Sequence, residues 1–493
     1  MPPSRTTSLR LLTVALAVAF LAGAVVQVGR LVRHPLVAGA DRPIPGGSII
    51  DARNSPSLAY DPRHPDRVAL TYRLDRPSFS AALEWSGDGG AVWHSTALPL
   101  PAGTDRPFGP DVAFAPDGTL YVSYVNLVGV GNVPGALWVA RSTDGGRSLS
   151  PPVQVAGRLA FQARLAVGPD GTVYVTWMQA GDVGINRLVG GPNPVVVSRS
   201  VDNGRSFSAP VTASDPSRLR VGAASPAVDA QGRLYVLYED FKDDRRDFEN
   251  LEGPPAEHPF ALVVTSSTDS GRTFSAGTEV NSDLVASHRF LVFLPEFPTL
   301  ALDPRGQLYV AWADARNGDD DVFVSRSADR GRSWTPAQRV NDNRLGDGTA
   351  QYLPRLAVAP SGRVDVVFLD RRRDPRHNVM TDAFLASSND QGRSFTNLRL
   401  SSRSFDSRVG PSTGDASPAD YGSRLGLVST NARALAAWTD SRRGTQDTGR
   451  QDIFVNHAGR RQATVGGWAI AAVLLVLAGT LGALAARRRT GPG

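Results

Sequence analysis

Cysteine is absent from the 493-residue chain. Disulfides, thiolate metal sites and cysteine nucleophiles are therefore excluded. Lysine is nearly absent as well, with Lys242 as the single example, so arginine carries almost all of the positive charge. The seven histidines are scattered, and none pairs with another at the spacing of metal ligands. We therefore expect no cofactor and no metal, with calcium as the one alternative considered below.

Acidic residues are absent from both ends of the chain. Residues 1–40 contain four arginines and residues 458–493 contain five, and neither stretch has an aspartate or a glutamate. The formal net charge of +6 comes from these ends, because residues 41–457 hold 44 basic and 47 acidic residues. A nearly neutral central part offers no clustered basic face of the kind that nucleic-acid binding needs. We therefore expect no nucleic-acid partner.

Two long apolar runs frame the central part. The first, residues 11–28, follows Arg5 and Arg10 and is typical of a signal peptide or of an uncleaved signal anchor. The second, residues 465–486, carries no charge and is long enough to cross the roughly 30 Å hydrocarbon core of a bilayer. Arginines 487–489 follow directly, and the positive-inside rule places them in the cytoplasm. The sequence predicts a cell-membrane protein with one C-terminal span, or two spans if the N-terminal segment is retained, and with its central part outside the cytoplasm.

A short motif recurs six times between these runs. Its form is Ser-x-Asp-x-Gly-x-(Ser/Thr)-aromatic, with two imperfect copies, and successive aspartates are 56 to 67 residues apart. The aspartate of such a turn accepts hydrogen bonds from backbone N–H groups, and the glycine supplies a positive φ. We expect a structural role for the six aspartates, which are Asp88, Asp144, Asp202, Asp269, Asp329 and Asp390.

A pair of alternating strands joined by a tight turn precedes each motif, as in residues 112–124 and 165–177. A third strand leads into the motif and a fourth leaves it, which makes a four-stranded antiparallel unit. Seven such units are present, and the seventh runs out of chain before its fourth strand. The sequence predicts an all-β propeller of seven blades over residues 41–457, with six blades as the alternative.

The missing strand of the seventh unit has a candidate at the other end of the chain. Residues 47–51 resemble a fourth strand, and we expect them to pair with residues 452–456 and remove an exposed sheet edge. Residues 1–40 are then a signal segment or anchor with a short linker. Residues 458–493 form the transmembrane helix with its cytoplasmic arginine tail.

The six motifs resemble the Asp-box, or bacterial neuraminidase repeat, of sialidases and their relatives, over about residues 47–457. The resemblance implies a sialidase-like β-propeller whose boxes lie away from the active site. This sequence departs from that family in its blade number, since sialidases have six blades. It also lacks their Arg-Ile-Pro motif, which supplies one of three arginines that hold the substrate carboxylate; the first strand here begins with residues 55–59, Ser-Pro-Ser-Leu-Ala. If the chain is an enzyme, the resemblance implies a glycoside hydrolase of the exo-sialidase type.

Aligning the first strand of each unit on its turn places one column of side chains at the mouth of the central channel. Arg164, Arg355 and Arg424 stand in this column and are the predicted ligand-binding residues, because guanidinium N–H groups pair with carboxylates. A tyrosine beside a glutamate serves as the nucleophile in some glycosidases. The candidate catalytic groups, in this column or three residues earlier, are Glu296, Tyr352, Tyr421 and Asp111. The alternative is that all these residues satisfy one another across blades.

The remaining candidate is a cation site in the acidic run 317–321, whose oxygens suit calcium but lack the ordered spacing of a known loop. The long connections between second and third strands lie on one face, where binding usually resides. The leading functional hypothesis is a membrane-anchored propeller that binds a glycan or another anionic surface ligand on that face. The alternatives are an exo-sialidase-like glycoside hydrolase and a scaffold for protein partners.

Overall fold

The computed structural model describes residues 36–129, 131–181, 192–242, 259–285, 297–411 and 419–459. Both apolar runs, residues 11–28 and 465–486, lie outside these ranges. Within them, no helix is long and apolar enough to cross a membrane.

The described residues form thirty β-strands. Two short strands come first, β1 (Val37–Ala38) and β2 (Arg42–Pro43). Blades 1 and 2 follow as β3 (Ala52–Asp61), β4 (His64–Arg76), β5 (Ser80–Ser86), β6 (His94–Thr96), β7 (Pro107–Phe114), β8 (Leu120–Val128), β9 (Val133–Ser142) and β10 (Val153–Ala156). Blades 3 and 4 are β11 (Ala160–Val167), β12 (Val173–Gln179), β13 (Val195–Ser200), β14 (Val211–Thr212), β15 (Val221–Val228), β16 (Leu234–Asp240), β17 (Phe260–Ser267) and β18 (Thr278–Leu284). Blades 5 to 7 are β19 (Thr299–Leu302), β20 (Leu308–Asp314), β21 (Asp321–Ser327), β22 (Gln338–Arg339), β23 (Gln351–Val358), β24 (Val364–Asp370), β25 (Met380–Ser388), β26 (Thr396–Arg399), β27 (Phe405–Asp406), β28 (Gly426–Ser429), β29 (Arg433–Asp440) and β30 (Asp452–Gly459).

Seven antiparallel sheets result, and each of the first six contains four consecutive strands in chain order. In blade 6 the short strand β27 also pairs with β25. In blade 7 the order is β28, β29, β30 and then the N-terminal strand β1, with β2 also paired to β30. The prediction of seven four-stranded blades is confirmed.

The first strands of the blades form the inner ring. Each contacts the first strand of the next blade, and β28 of blade 7 returns to β3 of blade 1. The apolar core lies between blades: one cluster joins Leu137 and Val139 of blade 2 to Val173, Val175 and Trp177 of blade 3. A blade is therefore covered on both faces, which is why a second strand such as β12 is buried almost throughout and does not alternate between buried and exposed residues.

The segment that closes the ring differs from the predicted one. Arg42 and Pro43 pair with Val455 and Phe454, and the backbone N–H of Ile44 donates to the carbonyl of Ile453 at 2.7 Å. The prediction that residues 47–51 form this strand is wrong, because Gly46 and Gly47 have positive φ (76° and 90°) and residues 49–50 form an exposed turn. Closure by the N-terminal side of the chain holds, with the pairing moved several residues upstream.

The repeated Ser-x-Asp-x-Gly turn links the third and fourth strands of blades 1 to 6. In the fifth copy, Ser327 donates to one oxygen of Asp329 at 2.7 Å, and the backbone N–H groups of Arg332 and Ser333 donate to the same oxygen at 3.0 and 2.9 Å. The Ser333 hydroxyl donates to the other oxygen at 2.6 Å. The bond from serine to aspartate is present in all six copies. Each aspartate thus organises its own exposed turn.

The glycine of the same turn is packed against the preceding blade. At Gly204, where φ is 74°, an added Cβ would lie 2.8 Å from Cε1 of Tyr121, which stands near the start of the second strand of blade 2. At Gly271 an added Cβ would lie 3.5 Å from Tyr174 of blade 3, and at Gly392 it would lie 3.8 Å from Tyr309 of blade 5, so these turns contact the preceding blade at ordinary packing distance. The turn therefore shapes a hairpin and also lets neighbouring blades approach closely.

The position of the closing segment predicts that two isoleucines contribute very differently to the stability of the fold. Ile44 is fully buried in the cluster between blades 7 and 1, whereas Ile49 is 68% exposed. We expect Ile44→Ala to lower the free energy of unfolding by about 2–5 kcal/mol, because it leaves a cavity, and Ile49→Ala to change it by less than about 0.5 kcal/mol. Denaturant unfolding of both variants measures this. If Ile49→Ala lowered the free energy of unfolding more than Ile44→Ala, the result would support pairing of residues 47–51 instead.

The turn motif predicts a pH-dependent loss of stability. Its hydrogen bonds, led by that from Ser333, hold the pKa of Asp329 well below its usual value. The stability that these hydrogen bonds contribute is therefore fully present above the unfolded-state pKa of about 3.9, and it is lost as the pH falls through the folded-state pKa. We expect Asp329→Ala to lower the melting temperature at pH 7, and the difference from the parent chain to shrink as the pH falls below about 4.

Arg332→Ala is the matched control, because it keeps the backbone N–H that donates to Asp329. It should melt like the parent chain. Unchanged melting of Asp329→Ala, combined with loss of ligand binding, would show that the turn acts in binding rather than in folding.

Candidate functional site

A β-bulge interrupts the first strand in five blades. The register shifts between positions three residues apart, such as Phe108 and Asp111 in blade 2 or Phe161 and Arg164 in blade 3. The residue that follows the first position of each pair has a positive φ; these residues are Ser55, Gly109, Gln162, Ala223 and Leu353. In a regular strand, residues three apart point to opposite faces; the extra residue of the bulge brings them to the same one. This geometry places two predicted rows of side chains together at the mouth of the channel.

Four residues of the same column are not arginine, namely Ser57, Asp111, Ser225 and Thr299, and each hydrogen-bonds to an adjacent blade. Ser57 donates to Asp111 at 2.6 Å, and Asp111 accepts the backbone N–H of Leu165 at 2.9 Å. Ser225 and Thr299 accept the corresponding N–H groups in the next blades. The alternative interpretation, mutual satisfaction across blades, therefore describes these four residues.

The arginines of the column behave differently. Arg164 is 5% exposed; one terminal nitrogen donates to the carbonyl of Ala163 at 3.1 Å, and its Nη2 is buried without a hydrogen-bond partner among the described residues. Arg424 is 4% exposed; its Nη2 contacts the carbonyl of Pro110, and its buried Nε likewise lacks a partner there. Among the residues that the structure describes, no carboxylate lies within ion-pairing distance of Arg164, Arg355 or Arg424. Buried guanidinium groups with unused donors are costly unless a ligand completes them.

The charges of the column act on one another. Burial lowers the pKa of Arg164 well below its usual value, and the neighbouring charge of Arg424 adds to the effect, while Asp111 opposes it. Burial also lowers the pKa of Arg424, to about 10, against the attraction of Asp111. At Asp111 burial acts to raise the pKa, but Arg164 and Arg424 outweigh it and the net shift is downward. Asp111 is thus an anion that offsets part of the arginine charge.

A pocket of about 460 Å³ opens beside these arginines on the face that carries the longer connections. Arg164 and Arg424 line it, whereas Arg355 does not. The ring of Phe297 lies 3.9 Å from the guanidinium carbon of Arg164. About half of the other described lining residues have apolar side chains, including Phe79 and Phe108.

A second charged group lines the same pocket and is absent from the sequence-based prediction. Arg73 pairs with Asp75 at 2.7 Å and with Asp420 at 2.5 Å, and Asn54 donates to Asp75 at 2.7 Å. Burial raises the pKa of Asp420, and the charge of Asp75 contributes, against the attraction of Arg73. Arg73 lies on β4, opposite Asn54 of the inner strand. An alignment of second strands as well as first strands would have brought it to the same channel mouth.

The candidate catalytic groups are not assembled in this pocket. Tyr421 donates its hydroxyl to the carbonyl of Asp406 at 2.7 Å, and burial raises its pKa well above the usual value, which opposes nucleophilic activation. Tyr352 lies outside the pocket lining, with its hydroxyl 3.3 Å from Thr381 and 3.4 Å from Arg371. Asp111 does not line the pocket either. Glu296 lies outside the described residues.

Part of the acidic run 317–321 is occupied by internal partners, although Oδ1 of Asp319 is buried without a hydrogen-bond partner among the described residues. Asp321 accepts hydrogen bonds from Asn317 at 2.6 Å and from Arg339 at 2.7 Å. The neighbouring Asp314 is held by Arg316 and by the indole N–H of Trp312. Across the part of the chain that the structure describes, no group of three or more His, Asp or Glu side chains is placed to hold a metal ion.

Solved structures of similar fold include glycan-acting β-propellers at low identity. A protein of unknown function from Dyadobacter fermentans is 16% identical, with a TM-score of 0.50 over 87% of this chain and 100% of its own length. An ulvan lyase, a polysaccharide lyase, is 12% identical, with a TM-score of 0.48 over 83% of this chain and 94% of its own. A Hadza microbial sialidase is 16% identical, with a TM-score of 0.42 over 81% of this chain and 77% of its own.

No family model and no curated protein matches the chain in sequence. At identities this low, structural likeness establishes a fold and not a chemistry. The chain is a seven-bladed β-propeller, and its function rests on the residues of its own pocket.

Proposed function

We propose that the propeller is a binding protein that captures a carboxylate-bearing ligand at the mouth of its central channel. The observation that carries the proposal is the buried Nη2 of Arg164, which lines the pocket without a partner in the described chain. Arg424 offers a second unused donor beside it. Two guanidinium groups with free N–H donors match the two oxygens of a carboxylate.

Acidic glycans are one class of ligand that meets this requirement. The six repeated turns resemble the Asp-boxes of sialidase-like propellers. This resemblance suggests a sugar that carries a carboxylate as the anion. A glycan or another anionic surface ligand would reach the pocket from the face with the long connections. The proposal therefore extends the expected glycan site to carboxylates in general.

Glycoside hydrolysis is the second candidate. Its support is the Arg73–Asp75–Asp420 group, which places two carboxyl groups in the pocket, one of them with a raised pKa. A carboxyl group with a raised pKa is better suited to act as a general acid than an ordinary one. Against hydrolysis, Tyr352 and Tyr421 lie outside the pocket lining, so neither candidate nucleophile faces a ligand bound there. A fluorogenic sialoside distinguishes the two functions, since only the hydrolase releases the fluorophore.

We further propose that the propeller is tethered outside the cytoplasm by the apolar segment 465–486. Support comes from the length of that uncharged run and from the arginines at 487–489. A tether of this kind would hold the pocket near the cell surface, where anionic polymers are exposed.

The binding proposal predicts the behaviour of two arginine variants. Arg164→Gln and Arg424→Gln should each weaken carboxylate binding by about tenfold or more, because each removes charged hydrogen-bond donors. Neither should lower the melting temperature much, since each also removes a buried charge that has no carboxylate partner. Calorimetric titration of the full chain in lipid nanodiscs with phenylacetate, glucuronate and N-acetylneuraminate measures the affinities.

Arg332→Gln is the control, since this arginine is exposed on a turn distant in sequence from every lining residue. Binding should also weaken as salt is added, because the charges are screened. If none of the three carboxylates binds, or if binding survives in both pocket variants, the proposal fails.

The topology proposal has a direct test, because the parent chain has no cysteine. Ala91→Cys places a thiol on an exposed turn of blade 1, and Thr490→Cys places one beyond the arginine tail. We expect a membrane-impermeant maleimide to label the first in intact cells and the second only after permeabilisation. Labelling of Thr490→Cys alone in intact cells would reverse the proposed orientation.

A further inference from the structure

The walls of the pocket are aromatic but carry no polar ring atoms. Four phenylalanines line it: Phe79, Phe108, Phe161 and Phe297. Val125 and Leu127 extend the apolar surface. No tyrosine or tryptophan is among the described lining residues. A ligand in contact with these walls therefore gains from apolar surface and finds no hydroxyl or indole N–H there.

Three of the four uncharged polar residues in the described lining, Ser55, Asn132 and Gln162, already accept hydrogen bonds within the fold through their side chains; the fourth is Ser423. Ser55 accepts the backbone N–H of Ser423 at 3.0 Å, and Gln162 accepts that of Ala223 at 2.7 Å. The side-chain oxygen of Asn132 accepts a hydrogen bond from Arg106 at 2.6 Å.

The charged lining groups other than the column arginines are Arg73, Asp75, Asp420 and the exposed Arg76, and Arg73 is already paired with both aspartates. A sugar acid whose hydroxyl groups lie against the apolar walls would leave those hydroxyls without partners, which weakens binding.

Charge and apolar surface meet at one point of the pocket. The Phe297 ring lies against the guanidinium of Arg164 at 3.9 Å, and Phe108 and Phe161 belong to the row that the bulge places beside the arginine column. A molecule whose anionic group binds Arg164 and Arg424 would thus place the rest of its body against phenylalanine rings. This arrangement matches a molecule with one carboxylate and an apolar body.

We infer that the natural ligand is a carboxylate on an apolar, preferably aromatic, body rather than a sugar acid. The inference rests on the proposed carboxylate capture and names its ligand class. A pocket of about 460 Å³ falls within the range of about 300–1,000 Å³ usual for small-molecule sites. Two sources share this chemistry: a free aryl or alkyl acid, and the C-terminal end of a polypeptide whose last side chain is apolar.

The test compares matched probes on the full chain in nanodiscs. Phenylacetate and octanoate represent apolar acids, glucuronate and N-acetylneuraminate represent sugar acids, and phenylacetamide lacks the charge. We expect phenylacetate to bind about tenfold or more tightly than glucuronate, because a buried phenyl ring gains apolar contact, and phenylacetamide to show no measurable binding. Short peptides ending in phenylalanine, with a free or an amidated C-terminus, separate the two sources.

Phe79→Ala is the pocket variant, because this ring is half-buried and packs edge-on against Phe108 at 5.4 Å. It should weaken phenylacetate binding while leaving glucuronate binding unchanged. Leu345→Ala is the control, since Leu345 is 59% exposed and is not a lining residue. Melting temperatures of both variants confirm that they are folded.

The outcomes are distinguishable from those of the proposed function. If sugar acids bind as tightly as phenylacetate, or if the amide binds as well as the acid, the apolar-acid inference is overturned. Sugar-acid binding that depends on Arg164 would then leave carboxylate capture standing. Tighter binding of the free-C-terminus peptide than of phenylacetate supports a polypeptide ligand, and the reverse order supports a free acid.

Discussion

Packing between neighbouring blades is the interaction on which the rest of the propeller depends. Each sheet buries both faces against the next, so a blade without a neighbour would expose a large apolar surface. The ring must therefore close, and Ile44, Ile453 and Val455 join blade 7 to the cluster that contains Leu58 and Leu70 of blade 1. The repeated turns support the same contact, and at Gly146 and Gly204 the missing Cβ allows an aromatic side chain of the preceding blade to come close.

Closure also creates the site. Seven inner strands converge on one axis, and a bulge near the start of five of them turns residues three apart toward the same side. Where the column residue is small or acidic, it bonds to the next blade. Arginine cannot accept that N–H, and Arg164 and Arg424 each retain a buried donor without a partner among the described residues. At position 164 no acceptor is needed. The residue of blade 4 that would donate its backbone N–H to this position is Pro226, and proline has no N–H. The scaffold thus tolerates a charged side chain at a point where a structural bond is not required.

Much of the fold was predictable because its signals are local and repeated. The Ser-x-Asp-x-Gly turn and the alternating strand pairs identify the blades, and an incomplete seventh unit indicates closure by the other end of the chain. The position of the closing strands was not predictable: β1 and β2 have two residues each, and Gly46 and Gly47 interrupt the segment that resembles a strand. Such short pairings form because Ile44 becomes buried in the completed ring, and they have no residue pattern that identifies them in the sequence.

The site was predictable in part, for a related reason. Arg164 and Arg424 could be found because they occupy equivalent positions of a repeat, but the repeat does not say which side chains share a pocket. Tyr421 has the residue type of a nucleophile, yet the fold uses its hydroxyl to hold the carbonyl of Asp406. Arg73 and Asp75 come from a second strand, and Phe79 and Phe297 come from connections, which the alignment of first strands does not cover.

The most direct measurement is a crystal structure of the protein with 4-bromophenylacetate, in which anomalous scattering locates the bromine. The account predicts the carboxylate within hydrogen-bonding distance of Nη2 of Arg164 and Nε of Arg424, with the bromophenyl ring against the phenylalanine walls. Bromine found only outside the pocket, or both arginines paired with carboxylates of the chain itself, would contradict it.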